Sequence, residues 1–270
     1  MLTRILSVVV ALPLFFLVFF FAPFWVVPLA LGVISATATF ELLNATHFMP
    51  NKKILALACA LSFCVPPWIY FLSARSAVSG VFLFVCVLFF SAVIDSKNIT
   101  FEKIAGAFFA AFVIPYFFSS IMRISMMENG RYLLLLPFIA AWMTDTFAFF
   151  SGSLFGKHKL APAISPKKTV EGALGGILGS VLGAVCYGIV LQYVFFKTPD
   201  YLVLCAIGFL GSFAAQLGDL SMSVIKRNYG IKDYGAIMPG HGGILDRFDS
   251  VLFSAPMVET LLYLLPQVFM

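Results

Sequence analysis

Charge is scarce in this chain. Lysine, arginine, aspartate and glutamate make up 11% of its 270 residues, against 61% hydrophobic residues, less than half the charged share of a water-soluble domain. Cysteine is scarce and unpatterned. Cys59, Cys64, Cys86, Cys186 and Cys205 all lie inside apolar runs with no CxxC spacing, which argues against a zinc site or a disulfide framework and reads as packing. Missing too are segments of about ten residues that alternate polar and apolar, the pattern of a membrane β-barrel. Arg4 precedes an apolar run as in a signal peptide, but the run passes Phe20 without a small-x-small cleavage site, so it reads as a retained first span. No arrangement of a nucleophilic Ser or Cys stands out.

What remains is apolar, aromatic and long in its runs. A mean hydropathy of +1.03 and 32 Phe place the chain in a bilayer, and runs apolar on every face predict helices. The expected fold is all-α: a polytopic membrane protein of about nine transmembrane helices, over 5–21, 24–43, 54–72, 78–95, 104–122, 132–150, 170–195, 201–224 and 249–268. Residues 1–130 are expected to form N-terminal spans, for lipid access or a dimer surface, and 131–270 the catalytic region. Nine spans put thirteen of the seventeen basic residues on one side, leaving Arg75, Arg123, Arg131 and Lys197 on the other. The positive-inside rule makes the richer side cytoplasmic, in the inner (plasma) membrane.

The carboxylates follow the same asymmetry. At 1.5 Å per residue, Asp145 lies about 20 Å along a span entered near Tyr132, and Asp219 about 27 Å along one entered near Tyr201. Both approach the cytoplasmic end, where Glu171 opens the seventh span and Asp246 and Asp249 open the ninth. This predicts a cytoplasm-facing polar site between the C-terminal spans. Residues 216–250, QLGDLSMSVIKRNYGIKDYGAIMPGHGGILDRFDS, concentrate it. An aspartate inside a bilayer costs about 2.5–3.5 kcal/mol and needs a compensating partner. For Asp219 that partner is either a cation shared with Asp246 and Asp249, which lie three apart on one helix face, or simply Lys226 two turns on, with Asp246 and Arg247 capping a helix. Hard oxygen donors without His or Cys favour Mg²⁺.

Three glycines around His241 suit an anion. Gly240, Gly242 and Gly243 let backbone N–H groups approach a phosphate at a helix mouth, although such a turn also serves as a plain connector. Lys226, Arg227 and Lys232 lie just upstream. The loop FGKHKLAPAISPKKTVEG carries Lys157, Lys159, Lys167 and Lys168. It reads as an orientation signal, or, with Ser165, Lys167 and Lys168 ahead of a Thr169 N-cap and first-turn Glu171, as an anion-facing helix mouth. Gly172, Gly175, Gly176, Gly179 and Gly183 predict close helix–helix approach and, through it, a homodimer. Glu41 reads as interfacial, and Glu259 as a buried hydrogen bond or dimer contact.

The residues Ser223, Ile225, Lys226, Arg227, Lys232, Asp233, Gly235, Met238, Pro239, His241, Gly242, Gly243, Ile244, Asp246, Arg247, Phe248 and Asp249 stand in the order and spacing of a C-terminal family motif. Thr144, Asp145, Thr146 and Ala148 match upstream, as does the run from Gly156 through Ser165, Lys167, Lys168, Thr169 and Glu171 to Gly172. Phe147, Ser153 and Val170 depart from the expected Gly, basic residue and Trp. On these motifs, over roughly 140–250, the chain resembles the phosphatidate cytidylyltransferase, or CDP-diacylglycerol synthase, family.

The resemblance implies a nucleotidyltransferase of phospholipid biosynthesis. It would move CMP from CTP to phosphatidate by direct attack of the lipid phosphate on the CTP α-phosphate, with CTP, phosphatidate and membrane lipid as partners and no nucleic acid. The expected metal set is Asp219, Asp246 and Asp249 around Mg²⁺, with Lys226 also catalytic. Lys167, Lys168, Arg227, Lys232, His241, Gly242, Gly243, Arg247, Asp145 and Ser165 are expected at the substrates, Asp145 either holding a second cation or orienting a lysine. The alternative from another class is a secondary transporter of an anionic substrate with a cation-coupling site. The charges collect at one face rather than the midplane, which argues against it.

Overall fold

The computed structural model describes residues 13, 15–48, 52–72, 74–237, 242–265 and 268–269. Eight long helices follow one another: α1 (Val26–Ala45), α2 (Lys52–Phe71), α3 (Ala74–Ile94), α4 (Phe101–Ser125), α5 (Leu136–Phe155), α6 (Val170–Val194), α7 (Tyr201–Asn228) and α8 (Leu245–Leu264). Among the described residues six have the length and apolarity to cross a membrane, namely α1, α2, α4, α5 with its preceding turn from Gly130, α6 and α7. The chain is therefore an all-helical multi-pass protein. Of the expected nine spans, 5–21 falls largely outside the described residues. The apolar part of α3 is only Val78–Ile94, and α8 carries Asp246, Arg247, Asp249 and Glu259.

The helices form two compact units, the first made of residues through Arg123 together with Tyr229–Arg247, the second of Ile124–Asn228 together with Phe248 onward. Tyr229–Arg247 thus groups with the N-terminal helices.

In the first unit α1 packs on α2, and Gly32 lets the Phe63 carbonyl of α2 come so close that a Cβ would stand 2.6 Å from it. The Thr39 hydroxyl donates to the Ala110 carbonyl at 2.6 Å and lies 2.8 Å from Ser62 Oγ, so α1, α2 and α4 share one buried polar node. Ala110 sits in a π-helical turn, Phe109–Val113, just before Pro115, which cannot donate the N–H that would continue the regular ladder.

In the second unit α5, α6 and α7 pack side by side. Gly172, Gly175, Gly176, Gly179 and Gly183 all face α5: a Cβ at Gly172 would stand 2.9 Å from the Ala148 carbonyl, at Gly176 3.0 Å from that of Thr144, and at Gly183 2.6 Å from Met143. The small-residue stripe is therefore filled within the chain, and the homodimer expected from it loses that basis. Gly208 brings α7 equally close to α6, and Ser180 donates to its carbonyl at 2.8 Å. The cysteines are not core residues: Cys64, Cys86 and Cys186 are exposed, and Cys59 and Cys205 half-buried.

Candidate functional site

The polar loop between α5 and α6 is an antiparallel hairpin, β1 (Lys159–Ala161) with β2 (Ser165–Thr169), registered Lys159 opposite Thr169 and Ala161 opposite Ser165. Its base is tied on both sides. Glu171 accepts the N–H groups of Lys157 and His158 at 3.1 and 3.2 Å and meets His158 Nδ1 at 2.6 Å. Thr169, the last strand residue, caps α6 by accepting the Gly172 N–H at 3.1 Å, as its sequence position predicts. Its tip is held by Arg227, whose Nε donates to the Ile164 carbonyl at 3.1 Å.

Strand alternation separates the two lysines of β2. Successive side chains point to opposite faces, so Lys167 is exposed while Lys168 turns inward and meets Asp219 of α7 at 2.5 Å. One turn along α7, Ser223 donates to Asp219 at 3.3 Å. Lys226 is buried and its Nζ lies 4.0 Å from Asp249 of α8, both side chains about one-tenth exposed. The Asp249 carboxylate also accepts its neighbour's N–H, from Ser250, at 2.8 Å, and the charges of Asp219, Lys226 and Asp145 all act on it. The Ser250 hydroxyl reaches Asp145 of α5 at 3.3 Å. Three carboxylates, two ammonium groups and two hydroxyls thus gather at the hairpin end of the second unit.

The first unit holds a second polar knot. Asp246, in the first turn of α8, uses one oxygen to accept the N–H groups of Tyr234 and Gly243 at 2.8 and 3.0 Å. Glu41 of α1, 2% exposed, accepts the N–H groups of Ile244 at 3.0 Å and Leu245 at 2.9 Å. The glycine-rich turn was expected to offer such N–H groups to a phosphate. Those of Gly243, Ile244 and Leu245 are instead held by the chain's own carboxylates. Gly242 does adopt the left-handed backbone, φ +83°, that favours glycine.

Residues 2–265 match the sequence profile of the Cytidylyltransferase family. The chain belongs to this family. Among curated proteins named phosphatidate cytidylyltransferase, that of Bacillus subtilis (strain 168) is 35% identical over 247 residues, covering 90% of this chain and 89% of its own. The Staphylococcus aureus (strain COL) protein is 32% identical over 237 residues, 86% and 87% of the two chains. That of Staphylococcus haemolyticus (strain JCSC1435) is 44% identical over 135 residues, half of each chain. Membership favours the transferase over the anion transporter.

Against the residues expected at a cytidylyltransferase site, the second unit brings Lys168, Asp219, Lys226, Asp249 and Asp145 to one end, with Arg227 and Ser165 on the hairpin side. Asp219 pairs with Lys168, not with Lys226. Lys167, Lys232 and Arg247 are exposed, Asp246 belongs to the knot with Glu41, and His241 lies outside the described residues. Among the described residues no three acidic, histidine or cysteine side chains stand as a formed metal set. The donors present, carboxylate and hydroxyl oxygens, are the kind that suits Mg²⁺, and lysine ammonium groups stand beside two of the carboxylates. Sequence reasoning missed Glu41. Its one signal was an acid near the end of an otherwise apolar span.

Proposed function

We infer that this protein transfers CMP from CTP to phosphatidate, giving CDP-diacylglycerol and pyrophosphate, as a multi-pass protein of the plasma (inner) membrane. Family membership and the names of its relatives support the reaction. The observation that carries the site is the alternation of lysines and aspartates at the hairpin end of α5–α7. Transfer between two polyanions needs positioning and charge neutralisation above all, and this cluster supplies movable cations next to hard oxygen donors.

In this reading the ionised phosphatidate oxygen forms a bond to the CTP α-phosphorus while the bond from that phosphorus to the bridging oxygen breaks, and pyrophosphate leaves with the electron pair. The nucleophile is already deprotonated, so no general base is assigned. Asp219, Asp246 and Asp249 would hold Mg²⁺, which would supply Lewis-acid polarisation of the α-phosphate and a template for the two substrates. Lys168 and Lys226 turn from their carboxylates toward the triphosphate. Arg227, Lys232, Arg247 and the exposed Lys167 neutralise the outer phosphates, and His241 donates to one of them. Asp145, through Ser250, either holds a second cation or fixes a lysine.

On nine spans, the bias of thirteen basic residues against four supports a cytoplasm-facing site. Pyrophosphate release by the purified protein tests the reaction. Release that requires CTP, Mg²⁺ and phosphatidate together, and is lost in Asp246→Asn, is the expected result. Release without phosphatidate, or none at all from folded protein, contradicts it.

A further inference from the structure

We propose that Glu41, on the first described long helix, is a positioning residue for cytidylyl transfer, acting through the turn Gly243–Arg247 that opens α8. The inference rests on the assignment of Asp246 and Arg247 to the site.

The first N–H groups of a helix have no partner within it, and a local Ser, Thr, Asp or Asn usually supplies one. For α8 the acceptor comes instead from 203 residues earlier in the chain. Each Glu41 oxygen takes one N–H, Oε1 from Ile244 and Oε2 from Leu245. A carboxylate this buried is tolerated only when it is hydrogen-bonded in this way. The fit is close on two further sides. A Cβ on Gly235 would stand 2.5 Å from Glu41 Oε1, and one on Gly243 2.5 Å from Oε2.

Asp246 binds the same segment from the other end, through Tyr234 and Gly243. Two carboxylates therefore hold the backbone at Tyr234 and from Gly243 to Leu245, and Glu41 sets where the first turn of α8 begins. Asp246 and Arg247 occupy that turn, so their side chains are aimed by a contact to α1. This gives the N-terminal helices a part in the chemistry beyond lipid access.

The test uses the full-length protein in detergent, comparing wild type with Glu41→Gln, which keeps the volume but offers one acceptor, and with Gly235→Ala, which crowds the carboxylate from the opposite side. Two quantities are read: amide hydrogen exchange of peptides covering 234–247, and kcat for pyrophosphate release per folded molecule. Both variants are expected to exchange faster in those peptides and to lose kcat by about 10–100-fold, the usual cost of loosening an outer-shell support. Glu41→Asp, which restores the charge on a shorter arm, should recover part of the loss.

Faster exchange with kcat unchanged per folded molecule would reduce Glu41 to a structural cap and overturn the proposal, as would unchanged exchange. Asp246→Asn run in parallel separates the two ideas. Wild-type kcat in that variant would remove Asp246 from the site whatever Glu41 does.

Discussion

Lys168 and Asp219 meet at 2.5 Å, joining the strand that leads into α6 to the interior of α7. The contact exists because strand alternation turns Lys168 inward and leaves its neighbour Lys167 in solvent. In Lys168→Gln, pyrophosphate release should fall by at least about tenfold, in line with loss of a positioned charge at a phosphoryl-transfer site. In Lys167→Gln the change should be a few-fold rise in KM for CTP that salt erases, as for a screened surface charge. Kinetics at two ionic strengths distinguish the two, and equal losses from both would contradict the division of labour.

Lys226 and Asp249 are each 8% exposed. Asp249→Asn should destabilise the protein by about 3 kcal/mol, because a buried ammonium loses a counter-charge. Lys226→Met added to that variant should restore a good part of it. Thermal unfolding of the single and double variants in one detergent measures this, and simple additivity of the two losses would show that the pair is not coupled.

Gly172 and Gly175 differ in what confronts them. A Cβ at Gly172 meets the Ala148 carbonyl at 2.9 Å, whereas at Gly175 it meets the Ser151 side chain, Cβ included, and a Cβ cannot rotate away. Gly172→Ala should cost about 1–3 kcal/mol from overpacking. Gly175→Ala should cost at least as much, since the about 1 kcal/mol of helix propensity that alanine gains does not offset pushing back the α5 backbone that carries the Ser151 Cβ. A melting temperature for Gly175→Ala at or above that of the parent protein would place the tight contact elsewhere.

Chelation should abolish transfer, and Mg²⁺ should restore it. In Asp219→Asn the Mg²⁺ concentration needed for half-maximal rate should rise by about tenfold or more, as for loss of an ionised ligand. Undiminished turnover in excess chelator would remove the ion from the reaction.

The helices were legible in the sequence because apolar runs of membrane length have few alternatives, and the Thr169 cap because its signal is local. The hairpin was not. β1 is only three residues long and β2 is polar on both faces, so no alternation marks them. Lys168 as a partner of Asp219 was not legible: of the side chains helical spacing offers, Lys226 shares its face, yet seven residues carry it about 10 Å along the axis, while Lys168 arrives from a different element. Glu41 left no legible trace of its role, because its partners are backbone N–H groups far along the chain and any residue type can supply those.

The glycine ridge of α6 has a consequence for how a lipid could reach this protein. From Gly172 to Gly183, about 16 Å along the helix, a methyl group on any ridge glycine would stand 3.0 Å or less from an atom of α5. An acyl chain is wider than a methyl group, so this seam is sealed to the bilayer along its length. A diacyl substrate must enter the membrane-facing wall of the protein by some other gap.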